Sequence, residues 1–309
     1  MRLFVVSLVF VGAVTILACG DDEDANDGAP SNDTDAGSAD GGGSGGDGGA
    51  SLEAAVGEAG ASAGTKGCGA PTTIATAAWI KQALTLGSTS REYSLWLPKD
   101  YDEARKYPVV YQFHGCSDAA ERQNNNPPVE KQSGADAIVV RGRAAASCWD
   151  TAEKGPDFAY ADAMIASVES SFCVDPSKRF GAGYSSGSFM VHSFACSRDS
   201  LFRGVASIAG GQRAATCPGK TAALLIHDLN DTTVKISASE QTRDRYLADN
   251  ACNATATRTP FAPAPCESYA GCTAGLPVVW CQTSGKNHDR QDALSAPAFW
   301  NFFSSLPAR

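Results

Sequence analysis

Five residues, Gly183-Tyr184-Ser185-Ser186-Gly187, restrict what this chain can fold into. Residues 178–182 (KRFGA) lead into them as a short strand, and residues 188–197 read as a helix with Phe189, Met190, Phe194 and Ala195 available for one face. A serine between a strand and a helix, flanked by glycines in the pattern G-x-S-x-G, requires a sharp turn. Gly183 and Gly187 then supply room where a Cβ would collide with the neighbouring strand and helix. The turn is expected to push the Ser185 hydroxyl out over the end of a sheet. The Ser186 amide, opening the helix, would face the place where an oxyanion forms.

The first residues do not belong to that domain. Arg2 precedes an apolar run over residues 3–17, which ends at Ala18-Cys19-Gly20. Its length and small-residue end fit an export signal, and it is short for a membrane span. Residues 16–19 (ILAC) resemble a bacterial lipobox, so residues 1–19 are expected to be a lipoprotein-type signal peptide with Cys19 carrying the lipid. That predicts anchoring to the outer membrane or cell surface, with plain secretion as the alternative. Residues 20–66 are rich in Asp, Gly, Ser and Ala, a composition that cannot bury a core, and read as a disordered tether. The tether accounts for the acidity of the chain. It holds eleven acids, and without it and Arg2 residues 67–309 carry 23 Lys+Arg against 23 Asp+Glu. The low pI therefore says nothing about a substrate, and no basic patch suggests nucleic acid.

Eleven cysteines are present. With Cys19 assigned to lipid, ten remain behind an export signal, which points to disulfides. Ten cysteines allow roughly nine hundred pairings, so most connectivity is unreadable. Cys116 and Cys148 both follow strands at the same end of the sheet and are expected to pair, clamping Trp149. Neither a C-x-x-C pair nor H-E-x-x-H occurs, so neither metal nor cofactor is expected.

Along residues 67–309, strands are expected at 91–98, 107–113, 137–141, 178–182, 204–209, 222–226 and 276–282. Helices are expected at 157–172, 188–197, 237–250 and 292–306. Strands alternating with helices predict an α/β fold, with a mostly parallel central sheet covered by helices on both faces. Residues 107–113 (YPVVYQF) are a more continuous apolar run, as suits an inner strand, and end in His114-Gly115-Cys116. A glycine there lets the backbone turn an amide toward the sheet's end, making the Cys116 amide the candidate second oxyanion donor.

A serine hydroxyl needs a base, and histidine is the usual one. Four histidines exist. His114 precedes a tight turn and is expected to hold that loop by hydrogen bonds. His192 sits on the helix after the turn, facing away from the loop end. His227 ends a strand, where it can brace a following loop. His288 lies beyond the last strand, at the end where Ser185 emerges, and is the expected base. The base needs a carboxylate on a loop between the two. Asp231 and Asp228 both qualify, and Asp231 is preferred because Asp228 is close to the strand end. The order Ser185, Asp231, His288 is the α/β-hydrolase order.

Gly67-Cys68-Gly69, REYSLWLP from Arg91, YPVVYQFHGC from Tyr107, CWD from Cys148, the run from Phe172 through the turn at Ser185 to Ala206, IHDLND from Ile226 and the stretch from Tyr269 to His288 resemble the secreted feruloyl esterases and polyhydroxybutyrate depolymerases of the α/β-hydrolase superfamily. The feruloyl-esterase branch is the nearer. The resemblance covers about residues 68–306 and implies an α/β-hydrolase catalytic domain at 67–309. It implies Ser185 as nucleophile, Asp231 as acid, His288 as base, an oxyanion hole on Cys116 and Ser186, and Trp149 near the substrate. It also shows departures: Ser188 and Asp228 stand where the family usually has glycine, and the histidine loop reads Gly285-Lys286-Asn287-His288-Asp289-Arg290.

The function expected is therefore an extracellular serine esterase acting on polysaccharide-linked esters, most simply hydroxycinnamates such as ferulate. A polyhydroxyalkanoate depolymerase and an acetylxylan esterase are alternatives on the same fold. A non-catalytic surface-binding lipoprotein is the alternative from another class, and a peptidase would need a lid or propeller domain of which the chain gives no sign.

Overall fold

A computed structural model describes residues 64–122, 124–211 and 217–309. The expected signal peptide, Cys19 and nearly all of the tether lie outside the described residues. The domain begins earlier than the expected boundary at 67. The Thr65 N–H donates to Val174 O at 3.2 Å, and the Thr65 hydroxyl donates to Phe172 O at 2.8 Å.

Ten strands and five helices are formed by the described residues. In chain order they are β1 Trp79–Leu86, β2 Thr89–Trp96, β3 Tyr107–Phe113, α1 Glu130–Ser133, β4 Ile138–Arg141, α2 Pro156–Ser171, β5 Val174–Tyr184, α3 Ser186–Ser197, β6 Gly204–Ile208, β7 Ala222–Asp228, α4 Ile236–Asp249, β8 Thr259–Pro260, β9 Cys266–Ser268, β10 Val278–Thr283 and α5 Asp292–Ser305. They make one sheet in the order β1-β2-β4-β3-β5-β6-β7-β10-β9-β8. From β4 to β10 every pairing is parallel, and the two margins are antiparallel.

The parallel strands are buried on both faces because each is covered twice. On β3, Val109, Tyr111 and Phe113 join the core under α2, α3 and α4, while Val110 points into the core under α5. On β7, Ala223 and Leu225 face the first core, and Ala222, Leu224 and Ile226 the second. Helix α2 starts with Pro156 at its first turn, where a missing N–H costs nothing, and buries Phe158, Ala161, Ile165 and Val168 at helical spacing.

Two differences concern the margins. Strand β1, absent from the sequence reading, alternates half-buried and exposed residues and forms a hairpin with β2 through Gly87 at φ +57°. Strands β8 and β9 have two and three residues, too short for a periodic signal.

All ten domain cysteines pair: Cys68–Cys173, Cys116–Cys148, Cys196–Cys217, Cys252–Cys272 and Cys266–Cys281. The expected Cys116–Cys148 bridge is among them.

Candidate active site

Ser185 stands between β5 and α3 with φ +51° and ψ −116°, a backbone state costly for a residue with a side chain. The surroundings impose it. The Ser185 N–H donates to Ile208 O at 2.9 Å, and its carbonyl already accepts from Ser188 N–H in the first turn of α3. The helix approaches so closely that a Cβ on Gly187 would lie 1.8 Å from Phe113 O, and one on Gly183 would lie 2.2 Å from Gly187 O. Both positions admit glycine alone. Ser188, the departure from the family's glycine, turns its hydroxyl inward, 2.7 Å from Ile208 O and 3.0 Å from Gly183 O.

The loop after β10 brings His288 over this turn. Its Nε2 lies 2.8 Å from Ser185 Oγ, and its Nδ1 lies 2.7 Å from Asp231 Oδ2. A carboxylate only accepts, so the ring proton sits on Nδ1 and Nε2 is free to accept the serine proton. Asp231 is buried. Its Oδ1 accepts the amides of Thr233 and Val234, both at 2.9 Å, and Oδ2 also lies 3.3 Å from His227 Nε2. The structure thus brings Ser185, Asp231 and His288 into one hydrogen-bonded line.

Asp228 takes no part in that line. It binds the backbone of the histidine loop instead, as its place at the strand end requires. The other histidines are braces. His192 is buried between Tyr246 OH (3.0 Å) and Ser207 Oγ (2.8 Å), and burial pushes it down to about 3. His227 reaches Val234 O at 2.9 Å and Ser239 Oγ at 2.6 Å, holding the loop that carries Asp231, and burial lowers its pKa. His114 lies with Nδ1 2.6 Å from Gly115 O and accepts the Ala144 N–H on Nε2 at 3.1 Å. Burial pushes His114 down to about 4, so it braces the turn as a neutral ring.

That turn carries the candidate oxyanion donor. Gly115 N–H donates to Asn125 O and Ser117 N–H to Ser147 O, while the Cys116 N–H between them has no partner among the described residues. The Cys116–Cys148 bridge ties the loop to the segment of Trp149. Only 5% exposed, Trp149 packs edge-on against Phe113, with its indole N–H donating to His114 O at 2.9 Å and its backbone N–H to Ser186 Oγ at 2.9 Å. Its ring packs behind the loop of Cys116, where its apolar area is removed from water beside Phe113.

Tyr184, inside the motif but not singled out from sequence, donates its hydroxyl to His288 O at 3.0 Å and lays its ring beside the imidazole, centroids 5.5 Å apart. The Arg290 guanidinium donates through Nη1 to Asn124 O at 2.6 Å, fastening the far end of the histidine loop to the loop after β3.

The chain is 30% identical over 257 residues to a protein of Aspergillus niger named "Probable feruloyl esterase C", spanning 78% of this chain and 91% of that one. It is 26% identical over 269 residues to feruloyl esterase D of Neurospora crassa, spanning 79% and 91%. Among solved structures, an acetyl xylan esterase from Aspergillus awamori superposes with a TM-score of 0.56 at 16% identity, covering 72% of this chain and 99% of that one. A ferulic acid esterase from Anaeromyces mucronatus, in complex with ferulic acid, superposes with a TM-score of 0.50 at 16% identity, covering 78% and 94%. At these identities the superpositions speak for the shared fold. No family model matches the chain.

Proposed function

Because this chain belongs to the feruloyl esterase family of the α/β-hydrolases and is a carboxylic-ester hydrolase, we propose that it releases hydroxycinnamates such as ferulate from esters on plant cell-wall polysaccharide. The observation that carries the mechanism is the line Ser185–His288–Asp231, with separations of 2.8 and 2.7 Å.

Ser185 Oγ attacks the ester carbonyl carbon while His288 Nε2 takes its proton. Asp231 keeps the imidazole in the Nδ1–H tautomer and offsets the charge of the imidazolium. The carbonyl oxygen, now an anion, enters the space before the amides of Cys116 and Ser186. A donor of this kind is worth about 10²–10³ in rate. The tetrahedral intermediate collapses as His288 protonates the leaving alcohol, and the acyl group stays on Ser185. Water, deprotonated by His288, then attacks the acyl-enzyme and restores the serine. No cofactor or metal is required by these steps.

The five disulfides support export to an oxidising compartment. In this reading residues 1–19 direct export, Cys19 carries a lipid, and the segment rich in Asp, Gly, Ser and Ala that follows tethers the catalytic domain to a membrane surface.

The test compares initial rates on methyl ferulate, a short-chain acetate ester and a hydroxybutyrate oligomer, for wild type and Ser185→Ala. Ferulate should lead, the variant should fall at least about 10⁴-fold, and a fluorophosphonate should label wild type only. If acetate or the oligomer leads, the substrate is that of an acetylxylan esterase or polyester depolymerase. A folded wild type in which Ser185 resists labelling would refute the serine mechanism.

A further inference from the structure

The His288 loop has no regular structure of its own, yet His288 must meet Ser185 and Asp231 at once. Its ring is aimed by Asp231, but its backbone needs a separate anchor. Thr283, the last residue of β10, lies opposite Asp228 in the parallel register of β7 and β10. The Asp228 carboxylate therefore emerges where the loop departs. It accepts four hydrogen bonds: Oδ2 from the Thr283 hydroxyl (2.8 Å) and the Lys286 N–H (3.0 Å), Oδ1 from the Asn230 N–H (2.9 Å) and the Asn287 N–H (3.1 Å). Thr283 has its direction fixed, since its oxygen also accepts from Gln291 Nε2 at 3.1 Å.

Asp228 is only 1% exposed and belongs to no ion pair among the described residues. Its negative charge is met by N–H and O–H dipoles, as in the backbone nests that bind anions. Burial works against the charge, but the hydrogen bonds together outweigh it and hold the carboxyl below its ordinary range. Neighbouring contacts follow the same plan. Asn230 Oδ1 accepts the Gly285 N–H at 2.8 Å, and Asn287 Oδ1 accepts the Thr232 N–H at 3.0 Å. Asn287, adjacent to His288, sits at φ +56°, a state that needs outside support.

We infer that Asp228 is the positioning residue of the histidine loop: its carboxylate fixes the Lys286–Asn287 backbone and thereby the reach of His288 toward Ser185 and Asp231. Two aspartates three residues apart thus divide the work, Asp231 in the loop holding the imidazole and Asp228 at the end of β7 holding the chain beneath it. The carboxylate at a place where the resembled family usually has glycine accompanies a histidine loop that also departs from that family. The inference rests on the reading of His288 as the base.

The experiment is Asp228→Asn in the full domain, alone and combined with His288→Ala. The amide keeps one accepting oxygen but turns an NH₂ toward two donors. Displacing a reacting group by about 1 Å costs on the order of 10²-fold, so kcat should fall by about that factor, with KM within about twofold. In the His288→Ala background the same change should cost nothing further. Hydrogen exchange at the Lys286 and Asn287 amides should quicken, while the Thr233 and Val234 amides, held by Asp231, stay protected. Thr283→Val, which removes one donor, should shift both readouts the same way to a smaller extent and serves if Asp228→Asn does not fold. Unchanged kcat and exchange in the folded variant would overturn the inference. So would a loss fully additive with His288→Ala and accompanied by faster exchange throughout β7 and β10. If no ester is hydrolysed and Ser185 goes unlabelled in wild type, the esterase mechanism has failed, and the exchange at Lys286 and Asn287 alone decides whether Asp228 anchors the loop.

Discussion

Replacing Cys116 and Cys148 together by serine tests how the loop carrying the proposed oxyanion donor is held. The bridge spans 32 residues. The loop-closure relation gives about 3.7 kcal/mol for a closure of that length at 25 °C. For a domain of this size each kcal/mol lowers Tm by roughly 2–4 °C, so calorimetry should record a fall of roughly 7–15 °C. The local geometry sets the kinetic effect. The loop keeps two other ties to the Trp149 segment after the bridge is gone: Ser117 N–H to Ser147 O at 3.0 Å and the Trp149 indole N–H to His114 O at 2.9 Å. The Cys116 amide should then wander without being lost. Losing an oxyanion donor outright costs about 10²–10³, so a loosened one should lower kcat about tenfold. Initial rates across substrate concentration, on whichever ester wild type cleaves best, measure this beside the thermal scan. A Tm within about 2 °C of wild type would refute the entropic argument. A large fall in Tm with unchanged kcat would refute the use of the Cys116 amide.

Trp149→Phe keeps a ring beside Phe113 but removes the donor to the buried His114 carbonyl. Urea unfolding should show a loss of about 1–3 kcal/mol, and kcat should fall with little change in KM, because the indole is behind the site rather than on its surface. Acid should also weaken the fold through His114 and His192. Burial holds both neutral in the native chain, down to about 4 and about 3, whereas the unfolded chain takes up protons below about 6.5. Their neutrality therefore costs nothing above pH 6.5, and stability falls as pH drops from there toward the folded values, by up to about 1.4 kcal/mol per pH unit for each ring. Urea midpoints at pH 7.5, 6 and 5 should decline, and less steeply for His192→Gln; a constant midpoint would contradict the assignment of neutral rings.

What could be read from sequence was local. The inner strands announce themselves as apolar runs because both faces are covered, and the run at residues 107–113 coincides with β3. The sharp turn at Ser185 is legible because the glycines that permit it are two residues away on either side. Ten pairing cysteines follow from their count, and one bridge, Cys116–Cys148, from the placement of both cysteines after strands at one end of the sheet. Strand β1 was missed because its half-exposed alternation is weak until β2 lies beside it.

Contacts between distant segments were decided only by the tertiary structure. From the sequence, Asp228 and Asp231 are two acids three residues apart on one loop. They separate only when residues 283–288, more than fifty positions later, arrive with an imidazole for one and two backbone amides for the other. The resemblance places Trp149 near the substrate, but only the fold shows what holds it: its ring packs on Phe113 and its indole N–H donates to the His114 carbonyl. The other four bridges were closed to sequence for the same reason. Pairing depends on which Cα atoms the sheet and its crossovers bring within reach, and chain order alone does not carry that distance.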